Sequence, residues 1–111
     1  NQFEEANEAN KKYLKKNLDI VEISQTTFEG YLQEHYFQNL NQALASYARV
    51  LKFTPEERFT KEYRSMAYLG MARIFKAQNN KEKARLFYKE CLKNTAYVWI
   101  KKEANSELKS L

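Results

Sequence analysis

The segment at residues 68–91 reads YLGMARIFKAQNNKEKARLFYKEC and decides the fold. Large apolar residues recur at three- and four-residue steps on both sides of a polar break at Asn79 and Asn80. This is the periodicity of two amphipathic helices joined by a tight turn. Small residues, Ala72 and Ala84, stand where the two helices would touch. A hairpin of this kind cannot bury its apolar face alone, so the pattern predicts stacking against a similar unit.

The segment resembles a tetratricopeptide repeat (TPR), a pair of antiparallel helices with large, small and aromatic residues at fixed positions. The matching positions are Tyr68, Met71, Ala72, Phe75, Ala84, Tyr88 and Cys91. A second, degenerate copy lies upstream, at Phe28, Tyr31, Leu32, His35, Ala43, Tyr47, Val50 and Pro55. In that copy Leu32 fills the small-residue place, and the turn is expected to be one residue shorter. The resemblance covers about residues 28–111 and implies a right-handed superhelical stack of two repeats.

The interval from Ala43 to Ala84 is longer than the TPR period of about 34 residues, so the helix between them is expected to carry extra turns. Long first helices are similar to those of bacterial envelope TPR proteins of the outer-membrane assembly (BamD-like) and Tol-Pal-associated kinds. That resemblance favours a scaffold in a bacterial envelope complex over a cytoplasmic protein, although a single cysteine is compatible with either compartment. The chain opens at Asn1 without an initiator Met, so either a tag or an N-terminal segment is expected to have been removed. Membrane attachment would come only from a lipid anchor in such a segment, as in a lipoprotein.

Composition favours an all-α fold. Two glycines and one proline among 111 residues leave few turn formers for a many-stranded sheet, and the length suits one domain. We predict five or six antiparallel helices in four parts: a charged N-terminal arm at 1–17, a degenerate first repeat at 18–53, a second repeat at 54–94 and a capping helix at 95–111. Thr54, Pro55 and Glu57 form a capping box that should start the long helix of the second repeat, and Asn80 should cap the next helix. Aromatic residues are expected mostly in the core.

The sequence offers little for catalysis or metal binding. Asp19 is the only aspartate, His35 the only histidine and Cys91 the only cysteine, and no phosphate-binding loop, zinc-ligand spacing or nucleophile elbow occurs. We therefore predict that the protein is not an enzyme and uses no cofactor, no metal and no small-molecule substrate. His35 is expected to be packed and partly buried, and Cys91 to be a buried, inert thiol. No segment reaches the ~20 apolar residues of a membrane-spanning helix.

Charge is the property with the clearest functional meaning. Residues 1–35 carry four Lys against seven acidic residues, a net of −3, and residues 36–111 carry 15 Lys and Arg against seven Glu, a net of +8. A basic body attracts an acidic protein segment, an anionic lipid or nucleic acid. The cations are dispersed among glutamates at helical intervals, which favours a solvated surface or an acidic protein partner. A basic helical adaptor for RNA or DNA is the alternative.

The TPR resemblance places a partner-binding groove on the first helix of each repeat. On that mapping the groove-facing residues are Glu29, Gln33 and Tyr36 in the first repeat and Leu69, Arg73 and Lys76 in the second. Arg73 and Lys76 are three residues apart with Leu69 one turn earlier, so two cations and an aliphatic side chain share one helix face. The predicted function is a non-catalytic protein–protein interaction scaffold or adaptor for a peptide that carries acidic residues beside an apolar anchor. Trp99 on the capping helix is the alternative contact.

Overall fold

The computed structural model describes residues 2–54 and 58–111, and these residues form α-helices and no strand. The predicted all-α class is confirmed. The helices are α1 (Gln2–His35), α2 (Leu40–Val50), α3 (Arg58–Ala77), α4 (Lys81–Asn94) and α5 (Val98–Ser110). The central helix is α3, which contacts each of the other four. Lys15 lies beside Phe59 and Glu34 contacts Arg73, so α1 and α3 run in the same direction. Glu62 contacts Ala96 and Arg73 contacts Glu103, so α5 also runs in that direction.

Helix α1 projects far beyond the body of the protein. It is one continuous helix of 34 residues, and its described side chains from Gln2 to Leu18 are exposed. The longest dimension of the protein is 60 Å because of this projection. The predicted arm and the first helix of the predicted first repeat are therefore a single helix.

The two hairpin turns use the same capping chemistry. The side chains of Asn39 and Asn80 cap α2 and α4, each accepting a hydrogen bond from a backbone amide at 3.2 Å. The preceding residues, Gln38 and Asn79, have φ angles of 54° and 61°, so each earlier helix ends in the left-handed conformation. The predicted cap at Asn80 is confirmed. The predicted capping box falls on Pro55 and Glu57, outside the described residues.

The first turn is longer than the sequence predicts. Four residues, 36–39, separate α1 from α2, whereas three residues, 78–80, separate α3 from α4. The end of α1 is widened because the amide of Phe37 donates to the carbonyl of Leu32, five residues back, and the amide of Asn39 donates to Gln33. The prediction of a shorter first turn is therefore wrong.

Tyr47 is the central packing residue of the first hairpin. Its ring lies between Gly30 of α1 and Gly70 of α3, the only two glycines in the chain. A Cβ atom added at Gly30 would lie 2.6 Å from the Tyr47 ring, and one at Gly70 would lie closer still. Both positions therefore need a residue without a side chain. Gly30 is therefore the small residue of α1 beside Tyr47, and the place of Leu32 in a repeat stays a prediction.

The buried face of α1 is not the aromatic one. Ile23, Thr27 and Gly30 are buried, whereas Phe28 and Tyr31, which the sequence placed in the packed stripe, are exposed. Only the face with small and β-branched residues lets the Tyr47 ring approach the helix backbone. Seven aromatic residues are exposed among those described, more than predicted: Phe3, Phe28, Tyr31, Tyr36, Phe37, Tyr97 and Trp99.

The second hairpin packs as its sequence predicts. Ala72 of α3 and Ala84 of α4 have no exposed surface, and Tyr88 is fully buried beside them. The exposed end of this cluster is covered by α5, which contributes Ile100 and Ala104. Two small residues at the helix contact allow the close packing that the sequence pattern indicated.

A buried carboxylate holds the turn between α4 and α5. Glu62 of α3 is 2% exposed, and its two oxygens accept hydrogen bonds from the Thr95 hydroxyl and the Ala96 amide, both at 2.7 Å. Arg58, one turn earlier on α3, donates to the same carboxylate at 2.5 Å. Glu62 thereby fixes where α5 starts, and with it the position of Trp99.

Candidate interaction groove

The parallel helices α1, α3 and α5 enclose a groove of about 630 Å³. Phe28 and Tyr31 of α1 form one wall, and Trp99 of α5 stands on the other side. Its floor is formed by α3 and α2, through Tyr63, Met66, Leu69, Arg73 and Tyr47. We call this surface the groove. Its lining is mainly apolar, and its polar groups are concentrated at the end where α1 terminates.

The aromatic walls of the groove are largely exposed to solvent. Phe28 is 61% exposed, Tyr31 52% and Trp99 53%. The Tyr31 ring lies 4.4 Å from that of His35, which is itself more exposed than the sequence predicts. Large aromatic side chains with half or more of their surface in water are a common feature of protein-binding surfaces.

An ion network closes the polar end of the groove. Arg73 of α3 donates two hydrogen bonds to Glu34 of α1, at 2.7 and 3.0 Å, and one to Glu103 of α5 at 2.7 Å. The Tyr47 hydroxyl donates to the same Glu34 carboxylate at 2.7 Å. Arg73 therefore ties together the three helices that form the groove, and a bidentate arginine–carboxylate pair is the strong form of this interaction.

The network keeps Arg73 and Tyr47 in fixed protonation states. Burial by itself lowers the pKa of Arg73, but the hydrogen bonds and charge of Glu34, and then of Glu103, outweigh it and raise the pKa. Burial, followed by the hydrogen bond to Glu34, raises the pKa of the Tyr47 hydroxyl. Arg73 stays charged and Tyr47 stays a neutral donor, so neither group is suited to exchange protons near neutral pH.

The structure brings only two of the six sequence-predicted residues into the groove. Leu69 lies on its floor but is 1% exposed, and Arg73 lies in the ion network. Lys76 pairs with Glu107 of α5. Three predicted residues lie elsewhere: Glu29, which pairs with Arg49 at 3.0 Å, the half-buried Gln33, and Tyr36, which is exposed beside Phe37.

The sequence did not assign Phe28, Tyr31, Glu34 or Glu103 to the groove, although it named Trp99 as an alternative contact. Part of this lining could have been predicted from the sequence. Phe28, Tyr31 and His35 follow one another at three- and four-residue steps, which marks an apolar helix face, and this face borders the groove instead of the core. The pairing of Glu34 and Glu103 with Arg73 leaves no local pattern in the sequence, because these residues are far apart along the chain.

The hydroxyls of Tyr47 and Tyr88 have opposite surroundings. Tyr47 donates to Glu34, whereas the buried hydroxyl of Tyr88 has no hydrogen-bond partner among the described residues. We expect Tyr47→Phe to lower the free energy of unfolding by about 1.5–3 kcal/mol, because a hydrogen bond to a charged acceptor is lost. Tyr88→Phe should be neutral or stabilise by up to about 1 kcal/mol, since it removes an unpaired buried group. Urea unfolding of both variants measures the difference, and equal losses would contradict it.

Cys91 is expected to make the folded protein less stable at alkaline pH. Burial, and secondly the charge of Glu103, raise the pKa of its thiol to about 12, whereas an unfolded cysteine titrates near ~8.5. Between these values the unfolded chain releases a proton that the folded chain keeps. The free energy of unfolding should therefore fall as pH rises above about 9, by up to ~1.4 kcal/mol per pH unit.

Urea unfolding at stepped pH tests this prediction, with Cys91→Ala as the matched control. The variant should lose little stability just above pH ~9, where only the thiol titrates, and both proteins should weaken above pH ~10 as tyrosines ionise in the unfolded chain. Burial also raises the pKa values of Tyr47 and Tyr88. Parallel loss of stability from pH ~9 in both proteins would exclude Cys91 as the cause.

Within residues 2–54 and 58–111, no group of three or more His, Cys, Asp and Glu side chains is arranged to hold a metal ion. No helix in the described part of the chain is long and apolar enough to cross a membrane. No family model matches the chain, and neither a curated protein nor a solved structure matches it.

Proposed function

We propose that this protein is a non-catalytic protein-interaction module whose groove binds a short segment of another protein. The observation that carries the proposal is the concave surface with Phe28, Tyr31 and Trp99 half or more exposed around it. Burial of such aromatic side chains supplies a large share of the free energy in many protein interfaces. The TPR resemblance of the two hairpins supports the same function, because TPR proteins bind partners on the surface formed by their first helices.

The charges around the groove favour a partner with a basic residue. Arg73 and Lys76 were the two cations expected to attract an acidic segment, but both are paired with carboxylates of the chain itself. Counting Glu34, Glu103 and Glu107 against these two cations gives a formal charge of −1. An acidic segment would have to displace existing ion pairs, whereas Lys or Arg would add a favourable interaction at the partly exposed Glu103.

The length of the groove limits the segment that fits. Its lining on α1 runs from Ser24 to His35, which corresponds to roughly 16 Å along the helix axis. That length suits about three turns of a helix or about five residues of extended chain. We propose a segment with a large apolar or aromatic anchor between Phe28 and Trp99 and a Lys or Arg one turn away, beside Glu103.

A peptide-display selection tests the proposed function. Random peptides of about 12 residues, the length of three helical turns, are selected on the whole protein. Enriched sequences should combine an aromatic or aliphatic anchor with Lys or Arg. Their affinity should fall about tenfold or more in Trp99→Ala and in Phe28→Ala, since both remove aromatic contacts.

The matched control is Phe37→Ala. Phe37 is 62% exposed, as Phe28 is 61% exposed, but it lies outside the groove, so its replacement should leave peptide affinity unchanged. Enrichment of acidic peptides, or equal sensitivity to Phe37→Ala and Phe28→Ala, would contradict the proposal. Preferential binding of RNA or DNA that collapses steeply with salt would instead support the basic adaptor, which the net charge of +8 on residues 36–111 favours. The roles of a lipoprotein and of a bacterial outer-membrane assembly scaffold stay predictions from the resemblance.

A further inference from the structure

A second apolar surface lies on α1, outside the groove. Leu14, Leu18 and Val21 are 59%, 68% and 50% exposed and follow one another at steps of four and three residues. At 100° per residue they share one face, which lies about half a turn away from the buried face of Ile23 and Gly30. We call these three residues the α1 seam. They face away from the helices against which α1 packs.

The N-terminal half of α1 has little to hold it in helical form. Its described side chains as far as Leu18 are exposed, although Lys12, Lys15 and Lys16 lie beside Phe53 and Phe59 of the body, so this half is only weakly packed. An isolated helix shorter than about 12–15 residues is marginal in water, and most helical stability in proteins comes from tertiary contacts. Asn7, Asn10 and Asn17 in this half are weak helix formers. An additional packed surface would therefore stabilise this half of α1.

We propose that this surface is the α1 seam of a second copy of the chain, packed antiparallel. Leu18 of each copy then packs against Val21 of the other, and the two contacts are related by the two-fold axis. This arrangement buries both seams. The two helices then overlap over about 30 residues, roughly 45 Å. An interface between identical patches is self-complementary, as two-fold dimers require.

The order of charges along α1 supports the antiparallel arrangement. The flank beside the seam begins with Glu4 and Glu8, continues with the cations Lys11 and Lys15, and carries the carboxylates Glu22 and Glu29 in its second half. Antiparallel packing brings equivalent flanks together, so Lys15 of each copy lies within one turn of Glu22 of the other. Lys15 and Glu29 now form exposed ion pairs with Asp19 and Arg49, which are weak and exchangeable.

Parallel packing would lack this complementarity. It would bring the charged flank of one copy against the opposite flank of the other, which carries Asn10, Asn17 and Ser24.

Sedimentation velocity of the whole protein over a concentration series tests the proposal. The wild type should sediment as a dimer, and Leu18→Glu with Val21→Glu should sediment as a monomer with unchanged helicity. Leu86→Glu is the matched control, because Leu86 is 56% exposed on α4, away from the seam, and this variant should remain dimeric. A monomeric wild type, or loss of the dimer in Leu86→Glu alone, would overturn the proposal.

Charge exchange tests the pairing itself. Lys15→Glu should weaken the dimer by up to about tenfold, since two exposed ion pairs are lost and replaced by repulsion. Adding Glu22→Lys should restore the affinity. No recovery in the double variant would overturn the predicted Lys15–Glu22 contact.

Single cysteine variants test the orientation, because native Cys91 is buried. With a short bismaleimide, Val21→Cys should cross-link between copies, since Val21 lies near the two-fold axis. Asn7→Cys should not, because antiparallel packing separates the two copies of this residue by nearly the length of the overlap. Efficient cross-linking of both variants would show parallel packing and overturn the proposal.

Discussion

Gly70→Ala should lower the free energy of unfolding by roughly 2 kcal/mol, although alanine is the better helix former by about 1 kcal/mol. The added Cβ atom would overlap the Tyr47 ring, which Gly30 confines from the other side. The ring has nowhere to move, so α2 or α3 must shift. Urea unfolding of the variant measures the loss.

The control for this prediction is the same substitution in a variant that lacks the Tyr47 ring. In Tyr47→Leu, which removes the ring, Gly70→Ala should cost little or should stabilise, because only the helix propensity remains. Gly30→Ala should behave in the same way, since its Cβ atom would also meet the ring. Equal costs of Gly70→Ala in the two backgrounds would show that contact with Tyr47 is not the reason for the glycine.

Glu62→Ala should have a still larger effect, a loss of about 2–4 kcal/mol. The substitution leaves the Thr95 hydroxyl and the Ala96 amide without their acceptor, and Thr95 is only 8% exposed. The start of α5 should loosen, so the fluorescence of Trp99, the only tryptophan, should change at denaturant concentrations below the main transition.

Two further variants define the cause. Glu29→Ala removes a carboxylate that is 55% exposed and paired with Arg49, so it should cost less than about 1 kcal/mol. Glu62→Gln should fall between the two, because its amide retains one acceptor oxygen for two donors. If Glu62→Ala costs no more than Glu29→Ala, the buried carboxylate does not hold the α4–α5 turn.

The second hairpin could be predicted from the sequence because its signals are local. Asn80 marks the turn, and Ala72 and Ala84 mark the contact between helices that are adjacent in the chain. The first hairpin could not, because α1 has apolar residues on more than one face. Because Phe28 and Tyr31 are large apolar residues, the sequence predicted that they lie in the core. The helix instead buries the face with Gly30, because only a residue without a side chain leaves space for the Tyr47 ring.

The groove was predicted less well than the fold because its chemistry depends on distant residues. Arg73 has the sequence features of a free surface cation, yet its partners Glu34 and Glu103 are 39 and 30 positions away. Hydrophobic periodicity shows which face of a helix is apolar but does not show which carboxylate of another helix will meet a cation. The exposed Trp99 could be suggested only as an alternative for the same reason.

The unbroken length of α1 has a mechanical consequence. Helix α1 packs against the body near Gly30, through Tyr47. Its first residue, Gln2, lies about 42 Å from Gly30 along the helix axis. A tilt of about 5° at this contact would displace Gln2 by about 4 Å, so a small rotation of α1 beside the groove would become a movement of several ångströms at its first residues.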